Sequence, residues 1–147
     1  MLRWKIIIVV LVSIAFLFII FNMLMGSTKF VTVKIGNATI KTELADTLPK
    51  QIKGLMFRKS LPEDEGMWFD FKNDGYPKIW MMNMSFPIDI VWINSDLEVV
   101  HIVKNAQPCG LKCESYGSAE KARYVLEVNA NFTDLKGIKI GSVAELS

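Results

Sequence analysis

The feature that most constrains the fold is an uncharged apolar run near the amino terminus. Ile6 to Met25 is twenty residues long and is interrupted only by Ser13 and Asn22, and about twenty helical residues span the roughly 30 Å core of a bilayer. A cleaved signal peptide usually has a shorter apolar region, about 7–15 residues, that ends at a small-x-small site. Residues 23–27 do not contain such a site. The run therefore predicts an uncleaved transmembrane signal anchor.

The charges that flank this run set its direction only weakly. Arg3 and Lys5 precede it and three lysines follow it, so the positive-inside rule is nearly neutral here. Three Asn-x-Ser/Thr sequons begin at Asn37, Asn83 and Asn131, and sequons together with a cysteine pair favour an extracytoplasmic domain. We therefore predict a single-pass protein of the cell membrane, with its amino terminus in the cytoplasm and its carboxyl-terminal domain outside.

This anchor divides the chain into four predicted parts. They are a cytoplasmic tail at 1–5, the anchor at 6–25, a hinge at 26–29 and a single domain at 30–147, whose roughly 120 residues suit one modest core. Without Arg3 and Lys5, the chain carries fifteen basic and fifteen acidic residues, which indicates no basic surface for nucleic acid. The membrane is the predicted partner, and the sequence does not choose among protein, small-molecule and glycan partners. It indicates no cofactor.

Short strands separated by turns dominate the predicted domain. Val31, Val33 and Ile35 alternate with polar residues before a two-residue Gly-Asn hairpin at 36–37,. A turn at 72–75 predicts a second hairpin, which joins strands at 67–71 and 79–82,. Further strands are predicted at 88–93, 97–103 and 123–128, and closing strands at 138–140 and 143–146.

Two short helices complete this prediction. One follows a possible cap at Asp46-Thr47, stops near Arg58 and buries a face made of Leu48, Ile52, Leu55 and Met56,. The other is a helical turn at 131–136 that ends at Gly137,. The predicted fold is mainly β with one or two short helices, a curled antiparallel sheet or small barrel, preceded by one transmembrane helix.

The apolar and aromatic stretch at 79–92 contains two polar residues, Asn83 and Asp89. A buried polar group without a partner costs on the order of 1–3 kcal/mol, and more if it is charged. Each of the two therefore either fastens the fold or belongs to a site.

Several motifs along the domain resemble one known family when they are taken in order. They are Gly54-Leu55-Met56-Phe57-Arg58, Gly66-Met67-x-Phe69, Trp80-Met81-x-Asn83, Pro87-Ile88-Asp89-Ile90, Pro108-Cys109, Tyr116-x-Ser118 and Tyr124-Val125-Leu126-Glu127-Val128. Together they resemble the domain-of-unknown-function 192 family from about residue 31 to the end. The resemblance implies a small, mainly β domain without an established activity, often held outside the cytoplasm by a signal peptide or anchor. Met82 and Met84 stand where the family more usually has polar residues.

Three charged residues of these motifs, Arg58, Asp89 and Glu127, support two interpretations. An Arg fork can hold a carboxylate through paired hydrogen bonds, so the three either form a structural ion pair or serve an enzyme with a carboxylate base and an anion clamp. With Asn83 and Tyr116 they make up the candidate polar cluster. We favour the structural interpretation, in which Arg58 pairs with Asp89 or Glu127, and assign no catalytic residue, because the sequence has no Gly-x-Ser-x-Gly motif and no phosphate-binding loop,.

Aromatic and sulfur-containing side chains suggest two weaker sites. Trp68 and Tyr116 are the predicted surface candidates for a flat ligand, whereas the alternation of the strands predicts Trp80 and Trp92 to be interior. Five methionines, a histidine and two cysteines raise Cu(I) as an alternative ligand: Met56, Met67, Met81, Met82, Met84, His101, Cys109 and Cys113. Core packing explains these residues better, since strand alternation points them in different directions.

Cys109 and Cys113 are the only cysteines of the chain. Their spacing permits a small-ring disulfide or two metal thiolates. We predict the disulfide, because a tetrahedral zinc site needs four ligands, and beyond the cysteines the sequence offers only His101 and scattered carboxylates. No metal site is predicted. The leading functional interpretation is a membrane-anchored binding or interaction domain.

Overall fold

The computed structural model describes residues 2–25, 28–110 and 112–147. The predicted hinge therefore lies partly outside the described residues. Within these described residues, three helices and nine strands follow one another. In order they are α1 (Leu2–Met25), β1 (Phe30–Ile35), β2 (Ala38–Ala45), α2 (Leu48–Lys53), β3 (Glu65–Gly75), β4 (Lys78–Trp80), β5 (Ile88–Ile93), β6 (Val99–Ala106), β7 (Ser115–Gly117), β8 (Ala122–Asn129), α3 (Phe132–Leu135) and β9 (Glu145–Leu146).

The helix α1 covers the predicted anchor and presents apolar side chains such as Val9, Leu17 and Phe18 to its surroundings. Within the part of the chain that the structure describes, no helix meets the combined length and apolarity required of a membrane crossing.

One curled seven-stranded sheet forms most of the domain and confirms the mainly β prediction. Its seven strands run in the order β6-β5-β8-β3-β2-β1-β9, and every pair is antiparallel except β2 with β3, which is parallel. The small-barrel alternative is wrong, because β6 and β9 are the two edges of this sheet and do not pair with each other. Backbone hydrogen bonds between residues 141–144 and residues 97–99 connect the segments next to the two edges.

One of the two predicted hairpins is confirmed, since Gly36, with a φ of 56°, makes the turn that pairs β1 with β2. The strands predicted at 88–93 and 97–103 correspond to β5 and β6, which pair with each other. The hairpin predicted around residues 72–75 is wrong, because these residues continue β3. The strand β3 pairs with β2 and β8, whereas β4 pairs with β7 in a separate two-stranded sheet. A Lys-Asn-Asp-Gly sequence is therefore tolerated at the exposed end of a long strand.

The helix α2 is shorter than predicted. It ends at Lys53 rather than near Arg58, because Gly54 takes a φ of 48° and leaves the helical conformation,. Leu48 and Ile52, predicted to be buried, are exposed. The apolar face of this helix therefore borders the surface instead of the core.

The sheet carries a core on each of its two faces, since neighbouring strand residues point to opposite sides. We call one side the α3 face, where Trp68, Val91 and Leu126 pack with Phe132 of α3. We call the other side the α2 face, where the core contains Phe69, Ile90, Trp92 and Val125. Because both faces are covered, every residue of the internal strand β5 is buried,.

Candidate functional site

Glu127 projects from the middle of β8 toward the α2 face. Its neighbours across the two flanking ladders are Met67 on β3 and Ile90 on β5, both members of the apolar core on that face. The side chain is 4% exposed. Its Oε2 is buried and has no hydrogen-bond partner among the residues that the structure describes, so a polar atom lies unsatisfied in an apolar environment.

This burial changes the acidity of Glu127. Desolvation raises the pKa of its carboxyl to about 8, and the nearby positive charge of Arg58 offsets only part of that rise,. At neutral pH the carboxyl is therefore mostly protonated. A neutral carboxyl both donates and accepts hydrogen bonds, so Glu127 can pair with either a donor or an acceptor.

The side chain lines a cavity of about 230 Å³ between α2 and the sheet. Phe69, Phe71 and Ile79 form apolar walls, and the Phe69 and Phe71 rings stack with their centroids 6.2 Å apart. A cavity of about 150 Å³ holds a benzene molecule. The space on the α2 face therefore suits a small molecule of one ring or a short chain.

Exposed side chains surround this cavity where it meets the surface. Leu48 and Ile52 of α2 and Trp80 of β4, which is 42% exposed, line it as apolar groups. Lys53 and Lys78 also line it, and both are exposed. The cavity thus has an apolar interior, one buried carboxyl and an outer margin that is apolar and positively charged.

At Gly54 the backbone itself lines the cavity. Its φ of 48° and ψ of −135° are accessible mainly to glycine,. A Cβ on this residue would lie 3.5 Å from the Phe69 ring and 3.9 Å from Oε2 of Glu127. The Gly-Leu-Met-Phe-Arg motif therefore brings backbone close to the buried carboxyl.

Arg58, the last residue of that motif, pairs with Glu43 rather than with the predicted Asp89 or Glu127. Its guanidinium holds the Glu43 carboxylate with both terminal nitrogens, and Nη2 donates to Oε2 at 2.8 Å. This hydrogen bond is the main cause that lowers the pKa of Glu43 and raises that of Arg58. The prediction of an ion pair at Arg58 is correct, but the partner that it named is wrong.

Asp89 lies on the opposite side of the sheet from Glu127. On β5 it alternates with Ile88 and Ile90 of the α2-face core, and it is fully buried. Its two oxygens accept four hydrogen bonds, from the backbone N–H groups of Asn105, Asn131 and Thr133 and from the Thr133 hydroxyl, at 2.6–3.1 Å. Asp89 therefore ties β6 and α3 to the sheet and is structural.

Asn83 and Tyr116 also have structural contacts. Asn83 is exposed with a φ of 57°, its backbone oxygen accepts a hydrogen bond from the Phe57 N–H at 3.0 Å, and its Nδ2 lies 3.8 Å from the Met56 sulfur. Tyr116 pairs with Ile79 between β7 and β4. The predicted five-residue cluster does not form one site, because Asp89 and Glu127 occupy opposite faces.

Cys109 and Cys113 lie at disulfide distance, with their Cα atoms 5.5 Å apart, which confirms the predicted pair. The Cys109 N–H donates to the Met81 carbonyl at 3.2 Å, so the bridge is fastened to the core beside β4. Leu111 lies outside the described residues. Among the described residues of the loop at 107–117, none lines the cavity.

The aromatic predictions are partly reversed. Trp68 is only 1% exposed and packs on Tyr124 with ring centroids 5.0 Å apart, so it is core rather than a surface candidate. Trp80, predicted to be interior, lines the cavity at the surface. Trp92 is buried as predicted, and its Nε1 donates to the Pro77 carbonyl at 2.9 Å. A short edge strand such as β4 has one solvated face, which alternation alone does not reveal.

The methionines do not gather at one point. Met56 and Met84 line the Glu127 cavity, Met67 lines a different one, and Met81 is buried in the α2-face core. His101 packs instead on the ring of Trp92 at 5.3 Å. Because the cysteines are paired with each other, they supply no thiolates for the copper alternative.

Sequence reasoning missed most of the cavity. Gly54 and Glu127 belong to quoted motifs, but the walls come from separate strands whose proximity depends on the sheet order. The apolar side chains of α2 could have indicated the site. Leu48 and Ile52 lie four positions apart beside a glycine, and an amphipathic helix of only six residues is too short to bury its whole apolar face.

Fold and cavity together define a class: a small, mainly β domain with one curled sheet covered on both faces. The family model for DUF192, described as "Uncharacterized ACR", matches residues 31–146. The chain belongs to this family, which confirms the resemblance seen in its motifs. No match was found among curated proteins.

Two solved structures share the fold. One is from Sinorhizobium meliloti 1021 and carries the name of a proposed transcription regulator. It is 31% identical, with a TM-score of 0.76 over 82% of this chain and 96% of that one. The other is a protein of unknown function from Novosphingobium aromaticivorans DSM 12444. It is 34% identical, with a TM-score of 0.70 over 80% of this chain and 84% of that one.

Proposed function

We propose that this protein is a membrane-anchored binding domain that holds a small apolar molecule in the Glu127 cavity. One observation carries the proposal: the buried Oε2 of Glu127 has no partner among the described residues, and Glu127 lines a cavity whose walls are mostly apolar. Buried polar groups in native proteins are nearly always satisfied, so an exception suggests a group supplied from outside. Apolar pockets with a few polar groups are typical ligand sites.

The anchoring part of the proposal rests on α1 and the sequence that surrounds it. The run from Ile6 to Met25 carries no charge, and a helix that exposes apolar side chains over several turns is stable where lipid covers it. The sequons and the paired cysteines support a domain outside the cytoplasm. The membrane is thus the proposed partner of α1. A nucleic-acid partner is not proposed, because the domain has balanced charge.

A cavity-filling variant tests the binding site. Met84→Trp places a larger side chain in the cavity, and Met82→Trp is the matched control, since Met82 is not among the lining residues. With the full chain in lipid nanodiscs, n-propylbenzene should give saturable NMR shifts at residues around Gly54. We expect Met84→Trp to weaken this binding at least about tenfold and Met82→Trp to leave it unchanged. Equal binding by both variants would contradict the proposed site.

Protease treatment of intact cells tests the anchoring. We expect added protease to remove the domain at 30–147, and a cytoplasmic marker protein in the same cells to survive. Full protection of the domain in intact cells, together with cleavage after permeabilisation, would place it inside. A mature chain that begins near residue 26 would show that the anchor is cleaved.

A further inference from the structure

The unsatisfied carboxyl in this cavity also restricts the chemistry of its occupant. We propose that the cavity binds an organic ammonium, a small apolar body that carries one protonated primary amine whose N–H donates to Oε2 of Glu127. This inference rests on the proposed ligand-binding function and deepens it, because it names the class of ligand.

The charges around Glu127 favour a cation over a neutral donor. Arg58 is the nearby cation that acts on this carboxyl, but its guanidinium is held by both oxygens of Glu43. The ladder neighbours Met67 and Ile90 carry no charge. No described residue donates a hydrogen bond to Oε2 of Glu127, and an ammonium group would bring a cation into direct contact with this oxygen together with a hydrogen bond.

The aromatic walls support the same choice. Phe69 and Phe71 stack in the wall of the cavity, and Trp80 lines it near the surface. Aromatic faces attract cations that lie within about 6 Å of the ring. Lys53 and Lys78 also line the cavity, but both are exposed, where salt screens their repulsion over about 8 Å. We therefore expect affinity for the amine to rise slightly with added salt.

Proton linkage gives this inference a signature that a neutral ligand does not share. Without ligand, the raised pKa keeps the Glu127 carboxyl mostly protonated at pH 7, whereas an ammonium ligand favours the carboxylate. Binding at pH 7 should therefore release close to one proton. Affinity should rise about tenfold per pH unit below pH 8 and level off up to the pKa of the amine, about 10.

Three probes of the same shape test the class of ligand on the full chain in lipid nanodiscs: 2-phenylethylamine, 2-phenylethanol and n-propylbenzene. At pH 8.5 we expect the amine to bind at least about tenfold more tightly than the alcohol. Calorimetry at pH 7 in buffers of different ionisation enthalpy should show the released proton. Glu127→Gln should abolish both the preference and the release, and Glu63→Gln, which changes an exposed carboxylate outside the cavity, should abolish neither.

The outcomes separate this inference from the proposed function. If all three probes bind alike, or if the amine releases no proton, the ammonium inference fails and the small-molecule site stands. If none of the three binds to the wild-type protein, the proposed function fails and the inference fails with it. An amine preference that persists in Glu127→Gln would also overturn the assignment to this carboxyl.

Discussion

Two buried carboxyl groups lie on opposite faces of the same sheet, and they are satisfied very differently. Asp89 on the α3 face accepts four hydrogen bonds from β6, α3 and the turn between β8 and α3. Glu127 on the α2 face has an oxygen without a partner and lines a cavity. Both come from largely apolar strands, so burial alone does not distinguish a structural residue from a site residue.

The difference follows from what surrounds each carboxyl. On the α3 face, the Asp89 oxygens collect backbone N–H groups that have left the regular ladder, including those of Asn105 and Asn131, both at positive φ. On the α2 face, α2 is short, and Gly54 has no side chain to fill the space beside Phe69 and Glu127. The carboxyl on the α3 face is enclosed by its hydrogen-bond donors, whereas the carboxyl on the α2 face has an unpaired oxygen beside an open volume.

The largest effect should come from Asp89→Asn. An amide offers one oxygen acceptor and places an NH2 group among donors, so at least two of the four hydrogen bonds are lost. We expect a loss of about 3–5 kcal/mol in the free energy of unfolding, measured by chemical denaturation. Asp134→Asn on α3 is the matched control and should change stability by less than about 0.5 kcal/mol, because Asp134 is exposed,. Equal losses of stability in the two variants would show that the hydrogen bonds to Asp89 do not stabilise the fold more than an exposed carboxylate does.

The next effect should come from Glu127→Gln, with the opposite sign. In the unfolded chain the carboxyl ionises near its ordinary pKa of 4.5, whereas in the folded protein its pKa is about 8. The folded state therefore holds the proton more tightly, and this group makes the wild type less stable as pH rises from about 4.5 to 8. Glutamine does not ionise, so the stability of the glutamine variant does not fall with pH for this reason.

We therefore expect Glu127→Gln to be more stable than the wild type at pH 9 by on the order of 2–4 kcal/mol. At pH 4, where the carboxyl is mostly protonated in both states of the wild type, the two proteins should differ by less than about 1 kcal/mol. Denaturation curves at the two pH values measure this directly. A glutamine variant that is less stable at pH 9 would show that Oε2 has a stabilising partner, and the contrast between the two carboxyls would disappear.

The sequence could predict the strands but not these two roles. The apolar runs around Asp89 and Glu127 predict the strands β5 and β8 correctly, and both strands are largely buried. The donors to Asp89 arise from an irregularity in the β5–β6 register between Ile88 and Ile90 and from the start of α3. A one-residue irregularity in a ladder leaves no clear trace in composition or spacing.

The order of strands explains the other differences between sequence and structure. The β2–β3 pair is parallel, so β3 lies beside β2 and β8 instead of turning back on β4. That arrangement buries Trp68 between strands and leaves Trp80 on a short strand at the surface. It also joins Gly54 to Glu127 across 73 positions of chain. Long-range strand pairing of this kind depends on the whole sheet and not on any local pattern.

A smaller effect should follow Gly54→Ala on the cavity side. The backbone at this position has a φ of 48° that other residues adopt only with strain, so we expect a loss of about 1–3 kcal/mol. Gly75→Ala is the matched control, because a Cβ there meets nothing within 4 Å. Thermal unfolding compares the two variants. If both variants lose the same stability, the positive φ of Gly54 does not impose a particular requirement for glycine beside the cavity.

The smallest effect should come from Arg58→Met. An Arg buried with a single partner would cost several kcal/mol to replace, but Arg58 and Glu43 are partly exposed, with side chains 30% and 23% accessible. We therefore expect a loss of only about 1–2 kcal/mol in the free energy of unfolding. A double-mutant cycle that combines Arg58→Met with Glu43→Gln should show a coupling energy between the two residues.

The Arg58→Met variant should also raise the pKa of Glu127 further, because the Arg58 charge is what lowers it. NMR titration of the Glu127 carboxyl measures that change. An unaltered or lower pKa would mean that Arg58 does not act on the cavity, and that the unsatisfied carboxyl is governed by burial alone.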